Sequence, residues 1–515
     1  MLKKILTTFA IASTLLIHAQ PSSEQLANLR QYYQKALEEW NVPGMSIAIV
    51  SNDSIYFSQG FGVTDILTLQ KVDEHTLFAV ASNTKAFTSS ALAMLVDEGK
   101  LRWNDKVQQY LPWFQLYDPY VTSEMSVTDL LTHRSGLKTF SGDLIWYGSS
   151  YTREEIIRKA KYLKPAHGFR EQFGYSNILY LTAGEIIPAI TGQQWDDFVK
   201  ERILLPIGMK RSTLHVKELA NRDNIAQPHT YVDGQLKTIP WLDWDNIGPA
   251  GSLISSAYEM GLWLQMHLNN GIVGKDTLLS SNRFFEMQSP QTINQVSMGS
   301  QKRFPSTHFK AYGLGWSLMD YQGRKIVSHN GGYDGMISQT LFIPEENIGF
   351  VILTNSLSSV YYPLMYKTLD VLLENPVEKD WSTEILSLIK AGEQQAKLAQ
   401  EAEEKQKKEA NTKPSLPLSE YTGIYSCPIY DEVEILEEKG NLYLNMKKTP
   451  DFQGQMTYYQ HNTFKVTFPA SPSLPAGFVT FNLDRNSKVS ALEIFIDNPD
   501  FDFTELELKK VRESE

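Results

Sequence analysis

The chain has 515 residues, a length that predicts two or three domains. Its content of 42% hydrophobic and 21% charged residues is typical of globular protein. A net charge of -11 with no basic stripe argues against nucleic acid as a partner, and the single cysteine, Cys427, excludes an internal disulfide and any cysteine-based metal cluster. The sequence also has no metal-ligand motif of the H-E-x-x-H kind, so we expect neither a metal nor a cofactor.

The first 19 residues have the pattern of a secretory signal peptide. Lys3 and Lys4 precede an apolar run over residues 5–17, and Ala19 offers a cleavage site. The run is short for a transmembrane helix, so a retained N-terminal anchor is the weaker alternative. The pattern predicts an exported protein, periplasmic or secreted, with no membrane span after signal removal.

The mature chain is predicted to begin with a two-layer domain over residues 20–376. An amphipathic helix over residues 22–40 precedes a strand pair, 45–50 and 55–60, and a mainly helical block extends to about residue 249. Two capping boxes open helices within and after this block, Thr152/Glu155 and Ser256/Glu259. Four strand-like runs (313–320, 325–328, 337–343 and 349–354) and a helix (360–373) follow. This order predicts an α/β (α+β) fold, in which both ends of the chain build one antiparallel sheet beside a helical insertion.

The C-terminal quarter has a different composition. Residues 377–417, rich in Glu, Lys, Gln and Ala, predict a charged helical linker that acts as a solvated spacer. Residues 418–515 consist of short alternating runs separated by turn residues, which predicts a small antiparallel barrel or sandwich that folds separately.

A serine and a lysine lie at the mouth of an apolar segment. Ser82 and Lys85 are one helical turn apart and begin an almost wholly apolar run that ends at Gly99. Burial lowers the pKa of a lysine, so a neutral Lys85 amine could take the proton of Ser82 as the serine attacks. The Ser-x-x-Lys spacing recurs in a turn and before a charged segment, at Ser135/Lys138 and Ser387/Lys390. Only the Ser82 match opens a buried helix, although a simple helix cap is the alternative there.

Two further local patterns accompany this pair. Tyr175-x-Asn177 precedes another apolar helix, and His329-x-Gly331-Gly332 follows a strand-like run. Alone, the first is typical of a turn and the second of a hairpin bend.

Together and in this order, the three patterns resemble the serine β-lactamase and penicillin-binding-protein superfamily. The resemblance is strongest to the branch that contains class C β-lactamases, DD-carboxypeptidases, esterases and D-aminopeptidases. It extends over residues 26–373 and includes LLTHRSGL at 130–137, LLPIGM at 204–209, GPAGSLISS near Gly251 and YGLGW at 312–316. It implies an antiparallel sheet flanked by helices, a helical subdomain and a C-terminal β-barrel appendage.

The resemblance also implies roles for individual residues. Ser82 would be the nucleophile, and Lys85 and Tyr175 would share the proton transfers, with the phenol ionising below its usual pKa. Asn177 would orient the substrate and Lys85. The backbone N–H groups of Ser82 and Gly332 would form the oxyanion hole, beside Gly331.

His329 departs from the β-lactamase pattern, because a lysine is usual there. A neutral imidazole facing the cleft would recognise a substrate carboxylate poorly. We therefore expect an exported serine hydrolase that forms an acyl-enzyme on Ser82 and acts on a small-molecule or peptide amide or ester. The alternatives are a β-lactamase or DD-carboxypeptidase, or a catalytically silent receptor for peptidoglycan fragments. The sequence leaves the oligomeric state open.

Overall fold

The computed structural model describes residues 20–375, 379–410 and 412–512. The predicted signal peptide lies outside these residues. Among the helices it does describe, none combines the length and the hydropathy that a bilayer crossing needs.

Eight antiparallel strands form the central sheet, in the spatial order β2-β1-β8-β7-β6-β5-β4-β3. Their bounds are β1 Gly44–Ser51, β2 Ile55–Gly62, β3 Thr292–Asn294, β4 Lys310–Tyr312, β5 Ser317–Tyr321, β6 Arg324–Tyr333, β7 Met336–Ile343 and β8 Ile348–Thr354. Strand β1 pairs with β8 from Met45 opposite Thr354 to Ser51 opposite Ile348. The predicted sheet, assembled from both ends of the chain, is confirmed.

Helices cover both faces of this sheet. Their bounds are α1 Ser23–Glu39, α2 Thr84–Asp97, α3 Pro119–Glu124, α4 Val127–Leu131, α5 Asp143–Trp146, α6 Arg153–Lys159, α7 Asn177–Thr191, α8 Trp195–Val199, α9 Leu205–Ile207, α10 Gly248–Gly251, α11 Ala257–Leu268, α12 Ser281–Met287, α13 Met298–Arg303, α14 Tyr361–Leu372 and α15 Trp381–Ala410. Successive residues of β1 face opposite layers. Ile47 packs in the core formed by α1 and α14, whereas Ala48 packs in the core that contains α2 and α11.

The strand that carries the His-x-Gly pattern is longer than predicted. The structure extends β6 to Tyr333, so His329, Gly331 and Gly332 lie within the strand and not in a bend. The turn comes only at Gly335, whose φ of +74° lies in the left-handed region that favours glycine. In contrast, the run predicted to begin at residue 313 becomes a strand only at Ser317, because Gly313 donates a hydrogen bond to the Trp316 carbonyl in a tight turn.

The C-terminal domain is a closed barrel of eight strands. They are β9 Gly423–Ser426, β10 Glu432–Glu438, β11 Asn441–Met446, β12 Gln453–Gln460, β13 Thr463–Val466, β14 Gly477–Leu483, β15 Val489–Phe495 and β16 Leu508–Arg512. The alternation in β11 is typical: Leu442, Leu444 and Met446 are buried inside the barrel while the residues between them are partly exposed.

The barrel packs directly against the helical block. The Tyr151 hydroxyl and the Lys159 ammonium both donate to the Asp431 carboxylate, at 2.9 and 2.7 Å. Tyr147 packs on Phe452 with ring centroids 5.7 Å apart. The apolar core of the barrel is thereby continuous with that of the helical block.

The predicted linker is a helix, but its start is docked on the sheet domain. Trp381 is only 3% exposed, stacks near Phe304 and Tyr366, and donates its indole N–H to Asp370 at 2.7 Å. Ser382 accepts a hydrogen bond from the Trp40 indole at 2.9 Å. The first turns of the helix therefore belong to the sheet domain. The predicted spacer is limited to the charged turns that follow them.

The docking of α15 gives a stability prediction. We expect Trp381→Ala to destabilise the sheet domain by about 3 kcal/mol, the scale for removing a buried aromatic side chain. Leu388→Ala is the matched control, because Leu388 lies on the same helix and is 48% exposed. Urea denaturation of both variants measures the difference in stability. Equal midpoints would show that the first turns of α15 do not stabilise the sheet domain.

Candidate active site

A strained turn presents Ser82. The short strand Phe78–Ala79 pairs with Ile254–Ser255, and a 3₁₀ turn, Ala81–Asn83, then leads into α2. Ala81 has a φ of +47°, in the left-handed region where a β-carbon costs about 1–2 kcal/mol. The turn leaves Ser82 partly exposed while the residues that follow it are buried, so the hydroxyl lies at a surface and its partner lysine does not.

Strand β6 packs closely against this turn. A β-carbon on Gly331 would lie 2.3 Å from the Val80 oxygen and 2.9 Å from the Ser82 nitrogen, and both are backbone atoms that cannot easily move. Ser338, opposite Gly331 on β7, donates to the Val80 carbonyl at 2.7 Å. The glycine therefore brings strand and serine together, next to the exposed Gly332.

Lys85 is fully buried beneath Ser82, and its Nζ has three hydrogen-bond partners. Its Nζ lies 3.1 Å from Ser82 Oγ, 2.7 Å from Asn177 Oδ1 and 2.8 Å from the Ala250 carbonyl oxygen. The amide and carbonyl oxygens can only accept, so in a neutral amine they take both N–H groups. The remaining lone pair then faces Ser82.

Burial favours the neutral form of this lysine. Desolvation lowers the pKa of Lys85 to about 7, and the field of Asp143 offsets only part of the effect. Aromatic rings supply much of the apolar surrounding, since Nζ lies 4.7 Å from the ring centre of Tyr175 and 5.4 Å from that of Tyr180. A substantial fraction of Lys85 is therefore available as a base near pH 7.

Asn177 is fixed between Lys85 and a residue that the sequence did not reveal. Its amide nitrogen donates to Asp143 Oδ2 at 2.7 Å, while the Trp146 indole donates to Asp143 Oδ1 at 2.8 Å. Burial raises the pKa of Asp143 to about 8. Asp143 lies 34 residues before Asn177 and belongs to no recognisable motif, so sequence spacing offered no signal for it.

Tyr175 reaches Ser82 but does not ionise easily. A hydrogen bond with Ser82 favours the phenolate, yet desolvation outweighs it and raises the pKa of Tyr175 well above its ordinary value. The ring packs on that of His133, 4.2 Å away, which is itself neutral because burial holds its pKa well below the usual range. The expected lowering of the phenol pKa is therefore wrong, because desolvation by the rings packed around Tyr175 outweighs the contacts that favour the phenolate.

His329 lies behind the cleft and not in it. It is 4% exposed, its Nδ1 lies 2.6 Å from the Asn330 carbonyl oxygen and its Nε2 lies 2.9 Å from the Tyr312 hydroxyl. The carbonyl can only accept, so Nδ1 carries the proton and Nε2 accepts from Tyr312. Burial lowers the pKa of His329 to about 3, so no cation is supplied here. The expectation that its ring faces the cleft is not met; Asn330 and Gly332 of the same strand line the cleft instead.

A cavity of about 450 Å³ opens over Ser82. Tyr175, Asn177 and Gly332 also line it, so the structure brings together the predicted nucleophile, phenol, amide and oxyanion-hole strand. Lys85 lies directly below, through its contact with Ser82. In the part of the chain that the structure describes, no group of three or more His, Cys, Asp or Glu side chains is arranged to hold a metal ion.

This fold and site are those of the serine β-lactamase and penicillin-binding-protein-like superfamily. Residues 29–370 match the family model Beta-lactamase, and the chain belongs to that family. Residues 407–510 match a second model, described as a domain of unknown function (DUF3471).

Two proteins that carry different names are among those similar to this chain in sequence. The chain is 28% identical over 451 residues to the unguisins hydrolase ungD of Aspergillus violaceofuscus, covering 82% of this chain and 78% of the relative. It is 26% identical over 360 residues to protein flp of Staphylococcus aureus strain MW2, covering 67% and 66% respectively.

Two solved structures share the fold. An octameric penicillin-binding protein homologue from Pyrococcus abyssi superposes with a TM-score of 0.60 at 21% identity, covering 94% of this chain and all of that chain. A D-stereospecific amidohydrolase from Streptomyces sp. superposes with a TM-score of 0.53 at 20% identity, covering 66% and 97%.

The packing at Gly331 gives a prediction about activity. We expect Gly331→Ala to lower turnover by at least about 100-fold, because the added methyl group displaces Ser82 from β6 and an error of 1 Å has that effect on reacting groups. Gly299→Ala is the control, since nothing lies within 4 Å of a β-carbon there. Ester hydrolysis by the two folded variants measures the effect, and similar rates would contradict the close packing.

The Lys85 pKa gives a prediction about pH. Protonated Lys85 cannot accept the Ser82 proton, so kcat/KM should rise with pH through a midpoint near 7. Burial raises the pKa of Asp143 to about 8, so this acid is largely protonated near pH 7. Asp143→Asn replaces a neutral acid by a neutral amide that still offers Asn177 an acceptor, so the midpoint should stay almost unchanged. The exposed Asp276 provides the control variant Asp276→Asn. A midpoint that moves clearly to lower pH in Asp143→Asn would show that Asp143 is ionised beside Lys85, and a rate that does not rise through pH 7 in the wild type would show that Lys85 is not the base.

Proposed function

We propose that this protein is an exported serine hydrolase that forms an acyl-enzyme on Ser82 and cleaves an amide or ester bond. The observation that carries the proposal is the contact between Ser82 and a buried Lys85 whose two other acceptors fix its lone pair toward the serine.

In the acylation step, Ser82 Oγ attacks the substrate carbonyl carbon as Lys85 Nζ takes the hydroxyl proton. The backbone N–H groups of Ser82 and Gly332 receive the oxyanion; in other enzymes the loss of one such donor costs 10²–10³ in turnover. Collapse of the intermediate breaks the bond to the leaving group, which takes up the proton held by Lys85. The high pKa of Tyr175 favours its role as a neutral hydroxyl that relays this proton, and not as the base.

Deacylation repeats the step with water. Lys85, neutral again, takes a proton from the water molecule that attacks the acyl carbon, and the proton returns to Ser82 Oγ as the acid leaves. Asn177 holds Lys85 in place through both steps, since its own orientation is fixed by Asp143.

A peptide-like amide or a neutral ester suits this cleft better than a β-lactam. Recognition of a substrate carboxylate needs a cation, and His329 is neutral and buried. Relatives named as a hydrolase of unguisins and as a D-stereospecific amidohydrolase support an amide substrate. Hydrolysis of β-lactams or of stem peptides by a DD-carboxypeptidase activity is therefore the second choice.

A silent peptidoglycan receptor is the alternative outside the enzymes. It has no need of the Lys85 geometry, which places a base against a nucleophile and uses the amide of Asn177 to do so.

Export follows from the pattern of residues 1–19, and fractionation of the native host tests it directly.

Labelling with a fluorophosphonate tests the nucleophile. We expect one covalent adduct on the wild-type protein, mapped to Ser82 by mass spectrometry, and none on Ser82→Ala. Ser135→Ala is the matched control, because Ser135 has the same spacing to a lysine but belongs to a turn. The Ser82→Ala variant should fold normally, which a thermal melt checks, since alanine is a good helix residue.

A substrate panel then separates the activities. Nitrophenyl esters, amino-acid amides and nitrocefin are compared on the wild-type protein and on Ser82→Ala. Rates that survive in Ser82→Ala would overturn the assignment, and the absence of both adduct and turnover would support the receptor.

A further inference from the structure

His133 belongs to the LLTHRSGL segment at residues 130–137, which the catalytic steps leave without a role. The residue follows α4, is fully buried, and has a backbone φ of +55°. This left-handed conformation is uncommon for a residue with a β-carbon. Strain of this kind persists only where the surrounding structure enforces it, and it is concentrated at functional sites.

His133 holds the backbone on both sides of Tyr175. The Gly174 N–H donates to the His133 carbonyl oxygen at 2.8 Å, and the Ser176 N–H donates to the imidazole Nδ1 at 3.0 Å. These two bonds fix the residues immediately before and after the phenol. Since Asn177 follows directly and begins α7, the same bonds fix the start of that helix.

The imidazole ring also packs on the phenol. The ring centroids of His133 and Tyr175 lie 4.2 Å apart, with an angle of 30° between the ring planes. Three further rings surround the imidazole at 4.7 to 5.3 Å, those of Tyr312, Tyr180 and Phe173. His133 therefore restricts both the backbone and the side chain of Tyr175.

The imidazole is held as one neutral tautomer. Nδ1 accepts from a backbone N–H, so the proton lies on Nε2. Among the described residues Nε2 has no hydrogen-bond partner. A buried N–H group without an acceptor is a cost to the fold, and an apolar side chain at this position would avoid it. What an apolar side chain could not supply is the acceptor at Nδ1.

We propose that His133 is a positioning residue for acyl transfer, because its two acceptors fix the loop that carries Tyr175 and Asn177. A shift of this loop would move the phenol away from Ser82 and the amide oxygen away from Lys85. The inference rests on the proposed function and adds to it a buried residue that acts through its neighbours.

Substitutions at this position separate the acceptor from the ring. His133→Asn removes the ring and keeps an acceptor, because the asparagine Oδ1 is bonded to Cγ as Nδ1 is, and asparagine tolerates a positive φ. His133→Leu has the same branching and no acceptor. His133→Gly also has no acceptor but adopts a positive φ without strain, so it separates loss of the acceptor from backbone strain and replaces the leucine variant if that variant does not fold.

The expected result is a loss of turnover that follows the acceptor. We expect His133→Asn to keep kcat within about tenfold of the wild type, and His133→Leu and His133→Gly to lose at least about 100-fold, the effect of a displacement of about 1 Å in a reacting group. KM should change by less than about threefold, since the buried residue does not bind the substrate. Hydrolysis of a nitrophenyl ester by folded variants, checked by thermal melts, measures both constants.

His267→Leu is the matched control. His267 is also buried, burial lowers its pKa to about 3, and the rings of Trp263 and Trp316 pack on it at 4.4 and 4.9 Å. In the described part of the chain neither of its ring nitrogens has a hydrogen-bond partner. The rates of this variant should equal those of the wild type. Wild-type turnover in His133→Leu and His133→Gly, or a loss in His133→Asn as large as theirs, would overturn the proposal.

Hydrogen exchange gives a readout that does not depend on turnover. The Ser176 amide should be protected in the wild type and in His133→Asn, and should exchange at least about tenfold faster in His133→Leu and His133→Gly. Mass spectrometry with fragmentation of the peptide resolves this amide. Equal exchange in all variants of a protein that is labelled at Ser82 would refute only the positioning role. The expected exchange in a protein with neither labelling nor turnover would refute the hydrolase, and with it the role in acyl transfer.

Discussion

The site depends on one buried amine. Lys85 is fully buried, and three hydrogen-bond partners replace the lost water: Ser82, Asn177 and Ala250. Desolvation of a lysine lowers its pKa, and this is what makes it a base near neutral pH. The other features of the site serve this arrangement: α2 buries the lysine, α10 supplies a carbonyl, and the turn before α2 keeps the serine at the surface.

The helical insertion supplies the second part of the arrangement. Asn177 comes from the first turn of α7 and Asp143 from the first turn of α5, and both of these helices pack against α6. With Lys85 on one side and Asp143 on the other, the Asn177 amide has a single usable orientation. The packing of the helices thus sets the positions of the two oxygens that accept from Lys85, those of Asn177 and Ala250. These positions in turn fix the direction of the Lys85 lone pair.

Sequence patterns were sufficient for what depends on local spacing. Ser82 and Lys85 are three residues apart, across the turn that leads into α2, and the longer sheet strands have continuous or alternating apolar runs, so both could be predicted. Strands β3 and β4 have three residues each and could not, because so short an edge strand has no pattern of its own. Burial of His329 and the high pKa of Tyr175 also escaped prediction, since both arise from rings brought by distant segments, chiefly His133 and Tyr312. Asp143 carries no motif and belongs to the site only through the fold.

The barrel changes the surroundings of the acidic side chains that line the cleft. Without the barrel, Asp143 and Asp334 would line the cavity and accept hydrogen bonds from residues of the sheet domain. The open side of the cavity would be filled with water. Docking of the barrel places Phe501 and Ser473 at this side, where Asp500 of the same barrel also lines the cavity. Desolvation is the main cause of the high pKa of Tyr175, and the field of Asp500 adds a smaller contribution in the same direction. The appended domain therefore helps to keep Tyr175 neutral, which leaves Lys85 as the base.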